Sequence, residues 1–185
     1  MNTGTVDRFP RAGRNIHTRQ AQCETVQIET PTMGGVDALA DLWVELAEGQ
    51  RAFGSHLATA TNRARVRESI SRRVVTGRIR VARAEDRIVG FVMFTVESEG
   101  LDRTVSRGIV ENLYVVPDRR EEGIGTELLE AAERALEKTD ATVVALDVLA
   151  ENEAARAFYR SRGYDPHRVT VEKSIESDTH SRDQG

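Results

Sequence analysis

The chain has 185 residues, 39% apolar and 30% charged, with a formal net charge of −4. That length suits one globular domain, and the composition excludes both disorder throughout and a membrane protein. The longest apolar run, Gly90 to Val96, is far below the ~18 residues that span a bilayer, and residues 1–11 lack the apolar stretch of a signal peptide, so a cytoplasmic location is expected.

Residues 1–24 mix Arg, Thr, Gly, Asn and Gln without hydrophobic periodicity and are read as a flexible arm. The only cysteine, Cys23, lies in it, without a partner for a disulfide or a neighbouring base to activate it. One folded domain is expected over residues 25–175. It opens with a short strand at Val26-Gln-Ile-Glu, closed by Pro31. Val36, Leu39, Leu42, Trp43 and Leu46 then recur at helical spacing, ending near Gly49. An Arg-rich helix is predicted from about Asn62 to Val75, stopped by Gly77. Strands follow at Arg78–Ala84, Ile88–Val96 and Val105–Val116, the last broken by Pro117-Asp118. Leu128, Leu129, Ala132, Ala135 and Leu136 form the stripe of a helix over about Gly123–Lys138. A strand at Val143–Leu149, a helix at Asn152–Arg162 ended by Gly163, and a last strand at Val169–Ser174 complete the domain. Residues 176–185 are read as a flexible tail. The short connections of the three middle strands predict an antiparallel meander, and the strand–helix–strand unit through 110–149 predicts one parallel pair. The fold class is therefore α+β, a mixed and mostly antiparallel sheet.

Charge is unevenly spread. Residues 61–90 carry nine Arg against three acids, a local +6, whereas 91–160 carry fifteen acids against eight bases, a local −7. Arg63, Arg65, Arg67, Arg72, Arg73, Arg78 and Arg80 show no aromatic interleaving, so a solvated helix or a rim attracting an acidic acceptor is preferred over a nucleic-acid surface. His17, His56, His167 and His180 are scattered, and no metal site is expected.

The stretch 113–129, LYVVPDRREEGIGTELL, carries the most information. A strand runs into a turn holding Gly123 and Gly125, and a helix begins at once. Glycines let a ligand approach the backbone, and the first helical turn offers unpaired N–H groups and a positive dipole end, suited to a pyrophosphate. Arg119 and Arg120 can add charge-assisted hydrogen bonds. The dinucleotide fingerprint would need glycine where Leu128 stands, and the Walker Gly-Lys-Ser/Thr is absent. Taken alone, Arg120-x-x-Gly123-x-Gly125 also fits an ordinary tight turn.

This segment resembles motif A of the GNAT superfamily of acetyl-CoA-dependent N-acetyltransferases, an Arg/Gln-x-x-Gly-x-Gly/Ala loop after a Leu-Tyr-Val-x-Pro strand. Residues 152–164, NEAARAFYRSRGY, resemble motif B, Asn-x-x-Ala-x-x-Phe/Leu-Tyr-x-x-x-Gly-Phe/Tyr. With the element order, the similarity spans roughly residues 26–174 and implies a GNAT-like sheet with helices on both faces. It further implies acetyl-CoA as cosubstrate, no metal, and transfer of an acetyl group to a primary amine.

The resemblance places Leu113, Tyr114 and Val115 along the pantetheine arm, with the Val115 amide polarising the thioester carbonyl. It sets the pyrophosphate on N–H groups from Arg120 through Glu121, Glu122, Gly123, Ile124 and Gly125 to Thr126, with Arg119 beside them. Asn152, Ala155 and Phe158 of motif B fall on the cofactor side. Asn152 is also a favoured helix cap, and Phe158 also suits a core aromatic. Glu121 and Glu122 depart from the family, which commonly has Gly and a basic residue there; their side chains are expected to point to solvent.

Tyr159 is the candidate general acid, because a phenol is protonated at neutral pH and the family uses this tyrosine so. The base is left open between Asp147, a charge inside an apolar strand and twelve residues before the tyrosine, Glu111, and water. Period-two alternation puts Glu111 on the face of Leu113 and Val115 unless a bulge resets the register. Residues 33–77, with Trp43, Phe53 and His56, are expected to shape the acceptor pocket. A homodimer is compatible with the sequence. The alternative reading is a non-catalytic acyl-CoA-binding or regulatory module of the same fold.

Overall fold

Residues 25–97 and 104–175 are described by a computed structural model. The segments 1–24 and 176–185, read from sequence as an arm and a tail, lie outside the described residues, as do Cys23, His17 and His180.

The elements follow the apolar spacing. β1 (Val26–Glu29) leads into α1 (Val36–Gln50), which buries Val36, Leu39, Ala40, Leu42, Trp43 and Ala47 on one stripe. At 7% exposure Trp43 is a core residue. α2 (Thr59–Thr76) buries Ile70 alone and stops at Gly77, whose φ of 67° suits the left-handed cap position. It starts three residues before the expected Asn62, because the Thr-Ala-Thr turn carries no apolar stripe for sequence periodicity to register. β2 (Ile79–Ala84), β3 (Arg87–Val96) and β4 (Arg107–Val115) form the meander. α3 (Ile124–Leu136), β5 (Val143–Leu146) and α4 (Glu153–Arg160) complete the order.

The five strands lie in sequence order, antiparallel from β1 to β4 and parallel between β4 and β5. α3 covers one face with Leu128, Leu129, Ala132 and Leu136, while α1 and α2 pack together on the other. Fully buried side chains such as Phe91, Leu39, Ile70 and Leu128 fill the two layers, each stabilising the fold by about 1.5–3 kcal/mol. The α+β class with helices on both faces is therefore the observed one.

The last expected strand, Val169–Ser174, is not formed. Residues 165–175 are irregular, and Val169 and Val171 are 79% and 89% exposed. Alternation selects a face but supplies no partner, and β5 stops at Leu146, three residues short of the sequence expectation, leaving little edge to pair with.

Two glycines let α3 and β4 approach closely. A Cβ on Gly108 would lie 2.8 Å from Leu136 Cδ1, and one on Gly90 would lie 2.7 Å from the Tyr114 carbonyl oxygen. Gly90→Ala must therefore move backbone. It is expected to destabilise the fold by about 1–3 kcal/mol in urea titration, whereas Gly49→Ala, with open space around it, should be neutral or stabilise by up to about 1 kcal/mol.

Candidate active site

β4 is paired on both sides only along its first half. Its parallel register with β5 runs from Arg107↔Val143 to Val110↔Leu146 and ends there, while pairing with β3 continues to Gly90↔Val115. From Glu111 to Val115 the edge toward β5 is thus open. The Val116 N–H donates to the Val89 carbonyl at 3.0 Å, so strict alternation turns the main-chain groups of Val115 and Leu113 away from β3, toward that open edge. Arg120 Nε donates to the Val115 carbonyl there at 3.0 Å.

Beyond β4 the chain makes a helical turn over Pro117–Arg119, then a loop with Glu121 at φ 67° and Gly123 at φ 86°. Glycine adopts such angles freely; glutamate does so at a cost of about 1–2 kcal/mol. The Arg120 N–H reaches the Pro117 carbonyl at 3.5 Å and that of Thr126 reaches Gly123 at 2.9 Å. Between them, the N–H groups of Glu121, Glu122, Gly123, Ile124 and Gly125 have no partner among the described residues. The expected donor run from Arg120 to Thr126 is therefore shortened to these five, because its two ends are already bonded within the turn. Nothing lies within 4 Å of where a Gly123 Cβ would stand. Consecutive free amides at a helix start attract an anion through both dipole and hydrogen bonds.

Gly125 is where the three parts meet. A Cβ there would touch the Phe158 ring at 3.7 Å and Val115 Cγ2 at 3.9 Å, so the loop, the end of β4 and α4 converge on one spot. Phe158 is half-buried at this junction. Asn152 caps α4, its Oδ1 accepting from the Ala155 N–H at 3.0 Å. Arg162 stacks over Phe158 at 4.1 Å and donates to the Thr126 hydroxyl, bringing a guanidinium to the start of α3. Motif matching passed over this residue; its i,i+4 spacing from Phe158 was the available signal. Arg119 binds Glu122 at 2.9 Å, so one of the two unusual carboxylates is charge-compensated. Glu121 and Glu122 are exposed. Amides, a bare glycine and nearby guanidinium groups together fit a diphosphate in charge and donor number.

The acid and base candidates separate clearly. Tyr159 is partly buried between Phe158 and Tyr164, with ring centroids 5.2 and 5.8 Å away, and burial pushes its pKa above the usual phenol value. Its hydroxyl has no hydrogen-bond partner among the described residues, unlike that of Tyr164, which donates to Glu133 at 2.7 Å. Glu111 sits at a β-bulge. Met93 pairs with Asn112 and Phe94 with Val110, leaving Glu111 unmatched. The bulge resets the register and brings Glu111 to the α2 side, away from Leu113 and Val115, because two residues there oppose one. Arg73 of α2 grips it through two bonds of 2.8 and 2.6 Å. That bidentate grip ties Glu111 to α2. Asp147 lies one residue beyond β5, exposed and unpaired among the described residues. Of the two candidate carboxylates, Asp147 is thus the one without a cationic partner among the described residues.

Two further carboxylates, Glu45 and Glu172, were not legible beforehand. Tyr114 donates to Glu45 of α1 at 3.0 Å, and its pKa is pushed up to about 12 by burial and by that carboxylate. Glu45 gave no signal beyond being a charge between Val44 and Leu46. His56 Nε2 lies within hydrogen-bond distance of a Glu172 carboxylate oxygen, 3.0 Å, which brings the irregular C-terminal segment to the loop before α2. The Arg-rich helix is largely neutralised, since Arg63 meets Asp41, Arg67 meets Asp37, Arg72 meets Glu68, and Arg73 meets Glu111. Among the described residues no cluster of three or more His, Cys, Asp or Glu could hold a metal, and no helix is long and apolar enough to cross a membrane. Replacing Glu121 by glycine removes the strained left-handed residue; the variant is expected to melt at the same temperature or higher, equivalent to as much as about 1 kcal/mol after glycine's larger unfolded-state entropy is counted.

Comparison with known proteins places this geometry. No curated protein of known function matches the chain in sequence. A GCN5-related N-acetyltransferase from Ralstonia eutropha JMP134 is 19% identical and superposes with a TM-score of 0.66, covering 82% of this chain and all of that one. A mutant of the BH1408 protein from Bacillus halodurans is 21% identical with a TM-score of 0.68, over 81% of this chain and 99% of that one. A transcriptional regulator from Bacillus halodurans C-125 is 17% identical with a TM-score of 0.63, over 82% and 100%. At these identities the likeness is one of fold. The sequence pattern of one family, described as acetyltransferase (GNAT), matches residues 37–164, from the first turn of α1 to the tyrosine after α4. That span holds the open half of β4, the five free amides and Tyr159, and the chain belongs to the acetyltransferase (GNAT) family.

Proposed function

We propose that the protein transfers an acetyl group from acetyl-CoA to a primary amine by direct attack within a ternary complex. The observation that carries this reading is the run of five unpaired amides, 121–125, at the end of a strand whose outer edge is open from Glu111 to Val115. In this reading the amides hold the diphosphate of CoA, with Arg119, Arg120 and Arg162 around it. The outward main-chain groups of Leu113 pair with the amide-bearing arm as an added strand would, leaving the Val115 N–H for the thioester. Acetyl-CoA supplies the activated acyl carbon. The Val115 N–H donates to the thioester oxygen as charge develops on it, and the Tyr159 hydroxyl gives its proton to the departing sulfur. The amine nitrogen forms the new bond to carbon as the carbon–sulfur bond breaks, and its proton passes to water or to Asp147. Glu111 is assigned to holding α2 on β4, because protonating it would break its pairing with Arg73.

Calorimetry should detect binding of CoA to the full chain; no association with CoA or acetyl-CoA would end this assignment. Tyr159→Phe is expected to lower kcat by about 10²–10⁴-fold, the range of a general acid, while leaving CoA affinity within about threefold. Tight CoA binding with no thiol release across a panel of amines and peptides would instead favour a non-catalytic acyl-CoA-binding module. Burial raises the Tyr159 pKa, so its proton is retained beyond the usual phenol range near 10. The pH profile of kcat should therefore show no decline below about pH 10, and a descending limb centred near pH 8 would assign the acid to another group.

A further inference from the structure

At the other end of the sheet a cleft of about 310 Å³ opens between the C-terminal ends of α2 and α3, lined among others by Arg78, Arg80, Phe94, Thr95, Lys138 and Thr139. A smaller cleft of about 190 Å³ adjoins it, sharing Thr76, Arg78 and Thr95 and adding Arg72 and Arg73. Among the described residues no aspartate or glutamate lines either one. We propose that this double cleft is a second anion site, and that it takes a small phosphate-bearing anion.

Arg80 is the central observation. Its guanidinium lies 5.5 Å from the Phe94 centroid, and Nη1 donates to the Gly77 and Ile79 carbonyls at 2.8 and 2.7 Å. No carboxylate pairs with it among the described residues, and burial lowers its pKa. A cation drawn from water without a counter-charge is unfavourable unless an anion arrives. Nε and Nη2 remain free to donate. Arg78 uses Nη1 on the Thr95 hydroxyl at 3.0 Å, and Lys138 has no partner among the described residues. By contrast, Arg63, Arg67, Arg72, Arg73, Arg83, Arg87 and Arg107 are all ion-paired.

Helix C-termini ordinarily repel anions. Here several carbonyls at these ends are already answered: Thr76 Oγ1 donates to the Arg72 carbonyl at 2.9 Å, Thr139 Oγ1 to Leu136 at 2.6 Å, and Arg80 to Gly77. The remaining field is that of Arg78, Arg80 and Lys138, without carboxylate partners among the described residues, in a concave site, and guanidinium groups bind phosphate oxygens in pairs. The concavity and its size suit a small molecule better than a nucleic-acid backbone, which needs an extended surface. The site is distinct from the amide loop. Val96, on its lining, pairs with Gly108, whereas Gly90 pairs with Val115, which sets the two about 20 Å apart along β3 at ~3.3 Å per residue.

The test titrates inorganic pyrophosphate into the ¹⁵N-labelled full chain and follows amide shifts by NMR. Saturable shifts at Thr95, Val96, Lys138 and Thr139 and at the Arg80 Nε–H are expected, as a set separate from any at Gly123 and Gly125. Arg80→Gln with Lys138→Gln should weaken the first set at least about tenfold per cation removed and leave the second unchanged, so failure here is distinguishable from failure of the acetyl-CoA reading. If that double variant loses its dispersed spectrum, Arg78→Gln with Lys138→Gln, both nearer the surface, replaces it with the same expectation. Shifts confined to residues 121–125, shifts at the cleft that persist unchanged in the folded variant, or equal or tighter binding of citrate would overturn the proposal. So would binding of an oligonucleotide at the cleft without binding of pyrophosphate.

Discussion

The open half of β4 is the constraint from which the site follows. A strand paired on both sides has no main-chain groups to offer a ligand, and a strand at a free edge invites indiscriminate pairing. β4 is neither. Its first four residues are locked between β3 and β5, and the remainder keeps only β3. The bulge at Glu111 falls where the two regimes meet, and Arg73 pins that residue from α2. Bulges re-aim strands where pairing ends, and here the consequence is a short, rigid, one-sided edge that runs straight into the amide loop.

Rigidity at the end of β4 comes from packing on both faces. Gly90 admits the Tyr114 carbonyl at a distance no side chain would allow, and Leu128 of α3 lies close by. On the other face the Tyr114 hydroxyl reaches Glu45 of α1. Because α3 both covers the sheet and begins at the loop, the same helix that buries Leu128 and Leu129 also aims its free N–H groups. The core and the amide loop are therefore built together: loosening the first would misplace the second.

Charge is arranged with similar economy. The acids of α1 neutralise the arginines of α2, with Arg67 holding Asp37 below the usual carboxylate range. Surface pairs of this kind contribute only about 0–1 kcal/mol each, so their larger effect is on the field: they silence a helix that would otherwise draw polyanions everywhere along its length. Among the described residues, Arg120 and Arg162 beside the amide loop and Arg78, Arg80 and Lys138 beneath the helix ends are left without carboxylate partners.

Much was legible in the chain itself because it depends on local rules. Apolar spacing located α1 and α3, glycines marked the ends of α2 and α4, and the order of elements implied the meander with its single parallel pair. The strand–glycine–helix turn and the Asn152 cap are likewise local, since a few consecutive residues satisfy or leave open their own backbone groups. Tertiary structure alone decided the rest. Alternation at 169–174 could not make a strand without a partner edge, the face of Glu111 depended on a bulge that only pairing with β3 reveals, and which loop amides stay free depended on how the turn folds on itself. Arg73, Glu45, Arg80 and Arg162 take their roles from residues dozens of positions away or from the solvent a neighbouring element excludes. Periodicity encodes which side of an element turns inward; what that side meets is set by the packing of the whole chain.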